Sequence, residues 1–72
     1  MDEELQRERA DLISRLFALI TMNLEDSAGI AADCQGRRPV AGLREGAEKL
    51  DVLLSEASTV VAAVASLLKS DE

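Results

Sequence analysis

The chain has 72 residues, 14 acidic and 8 basic, for a net charge of −6, with one cysteine, one phenylalanine and no histidine, tyrosine or tryptophan. A domain this small normally needs a disulfide, a metal or a partner subunit to bury enough surface, and a single cysteine without histidine removes the first two within one chain. Its bases, Arg7, Arg9, Arg15, Arg37, Arg38, Arg44, Lys49 and Lys69, are interspersed among acids, so no basic face is gathered for a phosphate backbone and no nucleic-acid partner is expected.

The opening "MDEELQRER" is acidic, unlike the basic-then-apolar start of a signal peptide, and acids in a first turn complement the helix dipole. Alanine and aliphatic residues dominate, which is a helical composition, and an all-α fold is expected. The first helix is predicted over about 3–34. Steps of three and four along it pick out Gln6, Ala10, Ile13, Phe17, Ile20, Leu24, Ser27, Ala31 and Cys34. A break, if there is one, belongs at "EDSAG", where Gly29 weakens the helix.

A loop is predicted over about 35–38. Gly36 is placed to end the first helix in a left-handed conformation, and Arg38 before proline is pushed out of the helical region. Pro39 suits the first turn of the second helix, predicted over about 39–69. There Val40, Leu43, Ala47, Leu50, Leu54, Ala57, Val61, Val64 and Leu68 follow at the same spacing. Folding the chain back near Arg37 pairs Cys34 with Val40, Ala31 with Leu43, Leu24 with Leu50, Ile20 with Leu54, Phe17 with Ala57, Ile13 with Val61 and Ala10 with Val64. The large ring then faces a small residue, as close packing requires. The expectation is a single domain over residues 1–72, an antiparallel, coiled-coil-like two-helix hairpin with these residues as its core.

Beside that seam a second apolar row is formed by Leu5, Leu12, Leu16, Leu19, Ile30, Leu53, Val60 and Leu67. Left in water it would be a contiguous patch of the kind that marks an interface. A two-fold axis lets one patch bury itself, so this row is expected to form a homodimer interface and complete a four-helix bundle. The terminal end carries Asp2, Glu3, Glu4, Glu8, Asp71 and Glu72 and the loop tip carries Arg37 and Arg38. Antiparallel copies would therefore set unlike charges together.

Little here points to chemistry. Cys34 reads as a small core hydrophobe with no histidine to activate it. The acids of "DEE", "LED" and the Glu45–Glu48 pair match no calcium loop and read as solvated helix surface. Arg37 and Arg38, beside a helix start, are the candidate contact for an anion or a partner's acid. No catalytic residue, cofactor or metal ligand is expected. The apolar run "TVVAAVASLL" is about half of the ~20 residues a membrane span needs, so a cytoplasmic protein without membrane contact is expected.

An acidic helical hairpin that dimerises is similar in architecture to the small RNA-binding hairpin dimers, although their basic RNA-facing surface has no counterpart here. The stretch "LQRERADLISRLFALI" resembles the long opening helix of the all-helical chorismate mutases, over about a quarter of the chain. That resemblance implies a dianion held by arginines and lysines, for which Arg7, Arg9 and Arg15 would stand, but the third helix and lysine-rich middle of that family are missing. The sequence thus favours a non-enzymatic interaction or regulatory module acting as a homodimeric bundle. The alternatives are an acidic inhibitor of a basic, nucleic-acid-binding protein surface and, as a minor one, a small helical enzyme of the chorismate-mutase type.

Overall fold

A computed structural model describes residues 2–69, leaving Asp71 and Glu72 of the acidic end outside the described residues. Two helices make up the fold: α1, Asp2–Asp33, and α2, Val40–Lys69. They pack against each other along their length as a hairpin, a rod of 58 × 15 × 12 Å. Its sense is antiparallel: Ile30 meets Gly46 near the loop, while Arg9 at the other end donates from Nη2 to the Leu67 carbonyl. Three acids, Asp2, Glu3 and Glu4, occupy the first turn of α1 and Lys69 the last turn of α2, each at the helix end whose partial charge it opposes.

α1 runs unbroken through "EDSAG". Ser27, only 6% exposed, donates from Oγ to the Asn23 carbonyl at 2.7 Å, so its hydroxyl is satisfied inside its own helix. Asn23 in turn donates from Nδ2 to the Leu53 carbonyl of α2 at 3.4 Å. Two polar side chains that would interrupt an apolar seam are thereby accommodated within it, since a buried polar group costs little once it is hydrogen-bonded.

The turn differs from the expectation in one respect. No described glycine has a positive φ, so Gly36 does not end α1 in the left-handed conformation. The helix end tightens instead: Gln35 N donates to Ala32 O at 3.2 Å and Gly36 N to Asp33 O at 3.4 Å, three-residue bonds of the kind that finish a helix. Arg38 completes the cap from the far side of the turn. Its Nε donates to Asp33 O at 3.1 Å and its Nη2 lies 2.7 Å from Asp33 Oδ1. An arginine on the last carbonyls thus replaces a left-handed glycine. Pro39 accepts the first bond of α2, from Leu43 N at 3.1 Å, which places it at the cap just ahead of Val40.

Close approach of the helices is concentrated at the loop end, where Gly46 is buried. A Cβ built on Gly46 would collide with Cys34 Sγ and touch Ile30 Cγ2, so the cysteine sits directly on the α2 backbone. Gly29 is the opposite case, with nothing within 4 Å of its missing Cβ.

Candidate protein-interaction surfaces

Which residues line the seam decides what remains outside it. On α1 and the turn after it the partly or fully buried positions are Arg9, Ile13, Leu16, Ile20, Asn23, Ser27, Ile30 and, just past the helix end, Cys34; on α2 they are Gly42, Gly46, Leu50, Leu53, Ala57, Val60, Val64 and Leu67. Val64 and Ala57 are its most enclosed apolar side chains, at 4% and 6% exposure. Ile13, Ile20, Cys34, Leu50, Ala57 and Val64 lie where the sequence reading put the hairpin core.

The other half of that reading lands elsewhere. Phe17, Leu24, Leu54, Val61 and Leu68 are among the exposed large hydrophobic residues of the hairpin, with Phe17 at 52% and Leu54 at 47%. Ala10, Ala31 and Val40 are exposed as well, and Leu43 stands at the margin. Their places in the seam are taken by Leu16, Leu53, Val60 and Leu67, which the sequence reading gave to a dimer interface. Leu5, Leu12 and Leu19 of that interface are exposed. Register shifts accordingly: Asn23 meets Leu53 and Ile30 meets Gly46, where Leu24 with Leu50 and Ala31 with Leu43 were expected.

A single geometric cause accounts for the difference. On each helix the apolar sector is three columns wide, with residues seven apart in each column, and a contact between two helices uses only two of them. The central column, Ile13–Ile20–Ser27–Cys34 with Leu50–Ala57–Val64, is used in either case. The hairpin closes over the Leu16 and Leu53 columns, and the Phe17 and Leu54 columns are left on one flank.

The central columns of that flank are uncharged. Ala10, Phe17, Leu24 and Ala31 on α1 stand beside Ala47, Leu54, Val61 and Leu68 on α2, all exposed. The columns outside them are Ser14, Thr21 and Ala28 on α1, with Arg7 at its end, and Asp51, Ser58 and Ala65 on α2, with Arg44 at its end; Thr21 Oγ1 donates to the Phe17 carbonyl at 3.1 Å.

The opposite flank is also apolar at its floor, through Leu12, Leu19, Val52 and the edges of Ile30, Leu53 and Val60, but its borders are acidic. Shallow grooves run along it between the helices, lined by Leu19, Asn23, Val52, Glu56 and Val60 at one end and by Glu25, Asp26, Ile30, Glu48 and Leu53 toward the loop. Lys49, the base on this border, lies 3.3 Å from Glu45 Oε1, and Asp33 is held by Arg38.

The arginines of the chorismate-mutase resemblance are not gathered into a site: Arg7 and Arg15 are exposed on different faces, and Arg9 lies against the seam with its Nη2 on Leu67 O. Among the described residues no three potential metal-ligating side chains come together. Of the two loop arginines, Arg38 is taken up in capping α1. α2 is long and apolar enough, by length and composition, to cross a membrane, a property that the short-run criterion missed. Three apolar columns on one helix supply that composition, and little of it is buried within the hairpin.

The structure thus defines a helical hairpin with two different exposed flanks. Comparison with known proteins adds no relative: no family model, curated protein or solved structure matches the chain.

Proposed function

We propose that the protein is a non-enzymatic interaction module that works as a homodimeric four-helix bundle, with its acidic outer surface turned to a protein partner. The observation that carries this reading is the uncharged flank of Phe17, Leu24, Leu54, Val61 and Leu68. Burying a side chain of this size is worth about 1.5–3 kcal/mol, and a two-fold axis supplies the cover from an identical copy. With three apolar columns per helix, two are used within the hairpin and the third between hairpins, which is the interior of a four-helix bundle. The central columns of this flank carry no charge, and Asp51 and Arg44 stand outside them on the edge of α2.

Light scattering on the purified chain tests it. The expected mass is twice 7.7 kDa. Leu54→Glu, which places one carboxylate from each copy in the contact, should reduce the mass to that of one chain. A fully helical protein of single-chain mass would defeat the proposal.

A further inference from the structure

We infer that the acid-bordered groove between α1 and α2, on the flank opposite the uncharged one, is a docking site for a basic amphipathic helix of a partner protein. The inference rests on the reading of the chain as an interaction module but not on its dimerisation, because the groove lies on the side away from the proposed dimer contact.

The floor is apolar and shallow. Leu19, Val52 and Val60 line one end, and Ile30 and Leu53 continue it toward the loop. From Leu19 to Asp33 the groove follows α1 for about 20 Å at 1.5 Å per residue, the length of roughly four helical turns. An amphipathic helix lays apolar residues at i, i+3, i+4 and i+7 into a groove of this kind. The borders then select the sign of the flanking charges. Glu25 and Asp26 stand on the α1 side and Glu48 and Glu56 on the α2 side, none of the four in an ion pair among the described residues, while Lys49, the base of this border, is paired with Glu45. Lysines or arginines flanking the apolar stripe of the occupant would meet carboxylates on both sides.

The same borders exclude the other occupants. A second copy would bring its own Glu25, Asp26, Glu48 and Glu56 against these, and like charges in apposition repel. An anionic lipid surface is repelled for the same reason.

The test uses the full chain and a synthetic peptide of about 18 residues, ~27 Å when helical, with leucine at the four docking positions and lysine elsewhere. A scrambled peptide of the same composition, a leucine–glutamate version and phosphatidylglycerol vesicles serve as comparisons. The leucine–lysine peptide should bind, with NMR shift changes centred on Leu19, Asn23, Val52 and Val60. Affinity should fall about tenfold in the Glu48→Lys/Glu56→Lys double variant, whose sites are exposed and whose helicity is checked by circular dichroism. Val52→Ala should weaken binding severalfold without changing charge. Equal binding of the scrambled peptide, shifts centred on Phe17 and Val61, preference for the vesicles, or no binding would each overturn the inference. A monomer that still binds the peptide through Leu19 and Val52 would remove the dimer and leave the groove standing; a dimer that fails to bind it would do the reverse.

Discussion

The two flanks of this hairpin are both apolar, yet their charge makes them suited to different neighbours. On one, Phe17, Leu24, Leu54 and Val61 are bordered by Ser14, Thr21, Ser58 and alanines, with Asp51 and Arg44 farther along the α2 edge; on the other, Leu12, Leu19 and Val52 are bordered by Glu25, Asp26, Glu48 and Glu56. Hydrophobic area alone gives no preference between them. What separates them is whether a surface can face its own image, and a ring of carboxylates cannot. Area thus sets how strongly each flank seeks cover, and charge pattern sets what covers it.

The largest expected effect breaks the symmetry between flanks. Val61→Glu, on the uncharged side, should lower dimer stability by roughly 2–4 kcal/mol per copy, because a charge is left buried without a partner. Val52→Glu, equally conservative of helix and 57% exposed, should change stability by less than about 0.5 kcal/mol. Thermal unfolding of the two variants at matched concentration reads the contrast. Equal losses would mean that both flanks are covered, and no loss in either that neither is.

Next comes the seam that both flanks share. Gly46→Ala forces a methyl into Cys34 Sγ, so it should destabilise by about 1–3 kcal/mol, as overpacking does, and urea unfolding measures it. Gly29→Ala has open space and a helical backbone, and should stabilise by about 0.5–1 kcal/mol. If both glycines respond alike, the close approach at the loop end is misplaced.

The smallest effects are at the turn. Asp33→Ala removes the ion pair with Arg38, about half exposed on both sides, and should cost only ~0.2–1 kcal/mol, less at high salt. Gly36→Ala should be nearly silent in melting temperature, since Gly36 has no positive φ and its Cβ would meet only Asp33 O at an ordinary 3.6 Å.

How much of this was readable beforehand follows from the period of the pattern. Steps of three and four locate an apolar sector on a helix to within about one column, which was enough for two helices, a turn and their packing as a hairpin. They do not say which two of three adjacent columns close first, and so Phe17 and Leu16 exchanged places between seam and flank. Two signals bear on that choice. Gly46, expensive in mid-helix, marks the column of closest approach, and Asn23 and Arg9, which look like interruptions of an interface, belong where opposing carbonyls of α2 can receive them. Gly36 misled for a different reason: a glycine after a helix usually supplies the left-handed cap, but Arg38 reaches back to Asp33 and does that work without it. The acidic groove escaped notice because its floor and its borders come from both helices, and only their pairing puts Leu19 beside Val52 and Glu56.

The most direct measurement is the access of a soluble paramagnetic probe to side-chain methyl and ring protons of the intact protein in solution. The account predicts that Phe17, Leu24, Leu54 and Val61 are shielded while Leu12, Leu19 and Val52 are reached by the probe. Strong relaxation of Phe17 and Leu54 together with shielding of Leu19 and Val52 would contradict it.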